Sequence, residues 1–276
     1  MTDMGVQWLL GSDEPAIRRL ARRDLLGERV EDAPAEGPRV RALLDGLDDD
    51  TVHPYKKWDG AHWRLVELTE LEATQDERVP AAAERVLAWL TSDRHRASIK
   101  AIDGLTRVHA SMEGNALVVC CALGMADDPR VARMAEDLVE WQWPDGGWNC
   151  DPRATGRRSS FHESLIPMHG LFEYGAVDAA NRTAELLLDH RLYRRRDTGE
   201  PIHPEWVRLH HPPRWHYDIL HALTVLARMR RVGDPRAGDA LDLLQQKRLK
   251  SGRWRGSEMI TLNALRGLAR PARTGG

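Results

Sequence analysis

Apolar residues recur at three- and four-residue spacing in four segments of the chain, about 80–91, 129–143, 177–190 and 235–248, with charge on the opposite side of each. This period predicts amphipathic helices, and their solvated faces place them in an outer layer. Between them run segments apolar on several sides, about 60–72, 105–124, 160–175, 215–230 and 258–269, entered from loops that carry Trp, His or Gly. These predict buried inner helices. Residues 14–47 hold two shorter helical stretches separated by the helix-breaking run EDAPAEGP. Strand-like alternation is absent, so the reading is all-α.

The pattern repeats. His162 and His216 stand 54 residues apart, and 106 residues, twice 53, separate Trp148 from Trp254. One helical pair of that size cannot bury both apolar faces alone, so successive pairs must stack. Five inner helices without an obviously polar terminal repeat predict a closed ring. The expected organisation is a helical cap over residues 1–50 and a single α/α-toroid domain over 51–276, with one helix of each repeat facing a central cavity.

The segment LVEWQWPDGGWNC places Leu138, Gln142, Gly146 and Trp148 at the spacing of the QW motif, with a sharp Pro-Asp-Gly-Gly turn inside it. A second copy, LLQQKRLKSGRW, keeps Gly252 and Trp254 and shifts the glutamine; Asp137 stands where the motif has an aromatic residue. With the helix-pair period, the chain resembles, over roughly residues 50–270, the α/α-toroid superfamily of terpenoid cyclases, squalene cyclase-like proteins and protein prenyltransferase β subunits. The resemblance implies an enzyme acting on a small, largely apolar substrate by acid–base or metal-assisted chemistry. Alternatives are a zinc-dependent prenyltransferase-like transferase and a non-catalytic ligand-binding or scaffold protein.

The chain departs from these families in its acids. It has no DXDD tetrad to protonate a polyene, and the run Asp48-Asp49-Asp50 has the composition of a solvated loop. Prenyltransferase β subunits hold zinc with an Asp-x-Cys pair and a later histidine. Here Cys150 precedes Asp151 directly, and His162 stands where that histidine is expected. Cys150, His162 and His216 therefore form the candidate metal set, a thiolate and two imidazoles leaving a position open for substrate.

Alignment of the inner helices puts His62, His162 and His216 three residues before Leu65, Leu165 and Ile219, so the imidazoles are expected at one height around the cavity mouth. The second inner helix offers His109 or Glu113 there, depending on register. With Asp218 as an orienting group, His62, Glu113, His162 and His216 are the candidate catalytic residues. Trp58, Trp63, Trp148, Phe161, Trp215 and Tyr217, together with His109, are the candidate substrate wall, since aromatic faces shape an apolar pocket and stabilise cations. For any one of these residues, helix capping or core packing is the competing role.

Composition narrows the partners. Lys+Arg 40 against Asp+Glu 42 gives a net charge of -2, without the basic field that nucleic acid or an anionic membrane surface requires. A small molecule is the expected partner. Three cysteines, two of them adjacent, give no disulfide framework, and neither a signal-like N-terminus nor a membrane-length apolar run is present. A cytoplasmic protein without integral membrane association is expected.

Overall fold

A computed structural model describes residues 3–30 and 36–269. Residues 31–35, within the predicted helix-breaking run, and 270–276, at the end of the expected toroid domain, lie outside the described residues. In chain order the elements are α1 (Met4–Leu10), α2 (Pro15–Leu26), α3 (Pro38–Asp45), α4 (Ala61–Glu70), α5 (Arg78–Leu90), α6 (Asp93–Arg96), β1 (Lys100–Ile102), β2 (Leu105–Arg107), α7 (Ala110–Ala122), α8 (Pro129–Glu140), α9 (Phe161–Tyr174), α10 (Val177–Asp189), α11 (Ile219–Arg228), α12 (Gly238–Gln246) and α13 (Glu258–Leu268). Short 3-10 turns at Pro204–Val207 and Pro235–Ala237 complete the set. The protein is mostly helical, and no helix among the described residues is long and apolar enough to cross a membrane.

Contacts divide the chain into two compact units, one of Met1–Arg39 with Leu187–Gly276 and one of Val40–Leu186. The leading helices are shared between the units: α1 and α2 belong to the first, and α3 from Val40 onward to the second. In the first unit α11 packs on α13 and α13 on α2. In the second, α7 and α9 form the most extensive helix pair. Two glycines explain how close that pair comes. A Cβ on Gly114 would lie 2.6 Å from the Pro167 nitrogen, and one on Gly170 would lie 2.6 Å from the Gly114 carbonyl oxygen.

Two of the amphipathic helices begin by a shared device. Asp128 caps α8 and Asp234 caps the turn leading into α12, each before a proline and then an arginine. The proline has no N–H to leave unpaired, and the aspartate accepts the next one. Arg130 folds back on Asp128 and reaches Glu84 on α5 at 2.5 and 2.8 Å. Arg236 does the same with Asp234 and with Asp189 on α10, at 2.9 Å. In the second unit α8 is thus clamped to α5.

Two segments depart from the helical reading. Residues 100–107 form an antiparallel hairpin, with Asp103 and Gly104 both at positive φ (51° and 75°). That pair of conformations makes a turn whose twist matches a two-stranded ribbon, so Leu105–Arg107 is strand and α7 starts only at Ala110. Trp215–Asp218 likewise precede their helix. Asp218 is extended (ψ 167°) and caps α11, which starts at Ile219.

Candidate functional site

The second unit brings together a thiol, an imidazole and a carboxylate. Cys150 Sγ, a ring nitrogen of His109 and a carboxylate oxygen of Glu163 all lie within 4.8 Å of one another. Each arrives from a different piece of chain. His109 is the N-cap residue of α7 and offers no side-chain cap of its own. Glu163, in the first turn of α9, supplies the cap across the helix pair: its Oε2 accepts the Ser111 N–H at 3.0 Å, and its Oε1 meets His109 Nδ1 at 3.0 Å. The orphan donors of one helix therefore orient the acid of the other.

Cys150 is placed by the turn before it. Trp148 is fully buried, its indole N–H donates to the Leu138 carbonyl at 3.0 Å, and its backbone N–H donates to Ser164 Oγ at 3.0 Å. Gln142 holds the same turn, donating to the carbonyls of Gly146 and Ala179 at 2.9 and 3.0 Å. Asn149 pairs with Arg107 in an isolated parallel bridge, and its carbonyl accepts the Val108 N–H at 3.2 Å. The thiol is thereby pinned beside the residue that leads into α7.

Charge in the cluster is mutually reinforcing. Hydrogen bonding to Cys150 and Glu163 raises the His109 pKa to about 10. Burial works to raise the Glu163 carboxyl, but the bonds from His109 and Ser111 outweigh it and hold it below its ordinary value. Glu163 is buried, Cys150 half-buried and His109 exposed, so the group opens to solvent on the imidazole side.

A second polar group lies on the same helices. Glu113, one turn into α7 and 3% exposed, receives His95 Nε2 at 2.7 Å on one oxygen, while its other oxygen is buried without a partner. Tyr55 packs its ring against His62, Trp63 and Trp89 with centroids 5.3, 4.9 and 5.4 Å apart. Burial first, then the charges of Glu163, Glu113 and Cys150, push its hydroxyl pKa well above the ordinary value. Tyr55 therefore stands within the field of both carboxylates.

Comparison with family models, with curated proteins and with solved structures returns no match.

The remaining candidates read from the sequence take varied places. His62 is 2% exposed, and burial lowers its pKa to about 3, so it is a neutral core imidazole at neutral pH and no proton shuttle. Trp63 is enclosed beside it, with Trp58 edge-on at 4.9 Å, and Phe161 is buried at the start of α9. His162 is half-buried on α9 and outside the ligand cluster; the imidazole beside Cys150 is His109. On the second of the predicted inner helices, His109 is the N-cap and Glu113 lies in the first turn, so neither takes the second helical position that His62 and His162 hold.

His216 and its neighbours belong to the first unit. His216 stacks between Trp215 and His210, at 4.2 and 5.8 Å. It precedes α11, whereas His62 and His162 are second residues of their helices, so the three do not share one helical position. Asp218 accepts the backbone N–H groups of His221 and His210 at 2.9 and 2.8 Å. Tyr217 is fully buried with its hydroxyl on the Leu192 carbonyl. Tyr55, His95 and the role of Glu163 as a ligand-type group escaped the sequence reading. The 54-residue separation of His109 and Glu163, close to the repeat length, was the available signal.

Proposed function

We propose that the chain is an α/α-toroid enzyme of the terpenoid-cyclase kind, acting on a small, largely apolar substrate at a zinc centre held by His109, Cys150 and Glu163. One observation carries the reading: three side chains of ligand type converge within 4.8 Å. Thiolate, imidazole and carboxylate are all zinc ligands, and three protein ligands leave a further position for substrate or water. The Ser111 N–H, which donates to Glu163 Oε2 at 3.0 Å, is the outer-shell support that such a ligand needs. The alternation of inner and outer helices at a period near 53 residues supports the toroid.

Zinc, when bound there, supplies Lewis-acid polarisation and lowers the pKa of a coordinated water. The chain's own residues supply the rest. Glu163 holds the imidazole through its Oε1, Tyr55 and Trp63 give the neighbouring apolar wall, and Glu113, bonded to His95, adds a buried acidic group on the same helix. Because no DXDD acid is present, the reading favours metal-assisted chemistry over direct protonation of a polyene.

The test is metal analysis of full-length protein purified without chelator or polyhistidine tag. About one equivalent of zinc is expected, falling below about a tenth in Cys150→Ser and His109→Ala. Cobalt substitution should give a thiolate charge-transfer band that Cys150→Ser abolishes. Wild-type protein that neither carries nor takes up zinc or cobalt overturns the reading.

A further inference from the structure

The hairpin strand β2 carries a buried guanidinium whose hydrogen-bond donors are unused among the described residues. Arg107 is 6% exposed, and its Nε, Nη1 and Nη2 are all buried without a hydrogen-bond partner among the described residues. Its guanidinium lies over Trp143, with Cζ 4.5 Å from the ring centroid. Trp143 is in turn fixed by its indole N–H, which donates to the Thr106 carbonyl at 2.8 Å. Stacking of this kind satisfies the face of a guanidinium and leaves its edge, where all the donors lie, unspent.

Among the described residues no carboxylate hydrogen-bonds to that edge. Asp151 is near enough for Arg107 to help hold its carboxyl down, to about 2, but the main cause is Arg153, whose Nε and Nη2 occupy both oxygens at 2.7–3.0 Å. The residue paired with Arg107 across the hairpin is Lys100. Directly opposed residues of an antiparallel pair share a face, so two like charges stand together there, an arrangement that destabilises a ribbon unless an anion joins it. A buried, unpaired cation is among the costliest groups a fold can keep.

We propose that Arg107 is the anchor of an oxyanion site, taking a carboxylate or phosphate group of a small ligand edge-on and in two-point fashion, with Trp143 as its platform and Lys100 adding to the field. Guanidinium geometry suits both anions. The site adjoins the His109–Cys150–Glu163 cluster, because the bridge between Arg107 and Asn149 is followed on its two strands by Val108 and His109 and by Cys150. Anion binding itself does not depend on a metal.

The experiment measures thermal stability of the full-length protein in inorganic phosphate, in acetate and in chloride at matched ionic strength and pH. Phosphate or acetate should raise the melting temperature above its value in chloride. A response to phosphate alone assigns a phosphate ligand, and a response to both assigns the carboxylate class as well. Arg107→Met should abolish the response. Lys100→Glu, at an exposed position that leaves the core untouched, should supply an internal carboxylate and weaken phosphate binding about tenfold or more. Cys150→Ser should respond as wild type does, so loss of the zinc reading and loss of this one are told apart. No response in wild type, or an undiminished response in Lys100→Glu, overturns the proposal.

Discussion

Burial sets the state of one histidine of this chain, and hydrogen-bond partners set that of two others. His62, His109 and His210 carry the same ring, yet burial drives the first to about 3, while the second is raised to about 10 by Cys150 and Glu163. His62→Phe keeps the ring contacts and removes a buried nitrogen without a partner, so it should change stability by less than about 1 kcal/mol and leave metal content untouched. Loss of zinc in that variant would return His62 to the site. Glu163→Gln should behave oppositely, since an amide cannot present two acceptor oxygens to His109 and the Ser111 N–H. About 1–3 kcal/mol of stability should be lost in denaturant titration. His210 gives a pH signature. The hydrogen bond to Asp218 raises its pKa above 6.5 although burial opposes the shift. Its contribution is therefore complete below the unfolded value and disappears as pH rises through the folded one. The urea midpoint of wild type, compared with His210→Gln, should show an advantage at pH 6 that fades above neutrality. An advantage that grows with pH would contradict the pairing.

At the scale of elements, the crossing of α7 and α9 controls the site, because Glu163 rides on one helix and His109 opens the other. Pro167 has no N–H to donate to the Glu163 carbonyl, and Gly114 packs against that proline without a side chain. Gly114→Ala gains helix propensity but forces backbone apart from backbone, so a net loss of about 1–2 kcal/mol is expected. The same variant should bind cobalt more weakly, since the Ser111–Glu163 bond spans the widened gap. Unaltered cobalt affinity with lowered stability would show that the cluster does not depend on the crossing. The long apolar segments were legible as helices because their periodicity is strong. The hairpin at 100–107 was not, because three-residue strands are too short to show alternation and only Asp103-Gly104 marks the turn. The start of α11 was missed for a related reason: Trp215–Tyr217 look like helix by apolarity, and only the capping role of Asp218 ends the extended segment.

Across the whole chain, the repeat length was readable from tryptophans and histidines in the sequence, but the ligand cluster depends on which side chains meet across helix ends. Equivalent histidines one repeat apart suggested a histidine ring. The second unit instead pairs His109 with a glutamate about one repeat later and with a cysteine from the intervening loop. That cluster gathers α7, α9 and the segment after Trp148, and it makes a prediction about metal removal. A ligand present at about 100 times its Kd stabilises the folded state by about 2.7 kcal/mol, which for a chain of this size shifts Tm by roughly 5–10 °C. Chelation should lower Tm by that order. It should also act locally, because Cys150 tethers the start of the exposed segment that holds Arg153, Arg157 and Arg158. Limited trypsin digestion should cut after these arginines faster in chelated protein than in zinc-loaded protein, with Cys150→Ser cut at the faster rate under both conditions. Equal cleavage rates in loaded and chelated wild type would mean that no metal ties this segment to the helix pair.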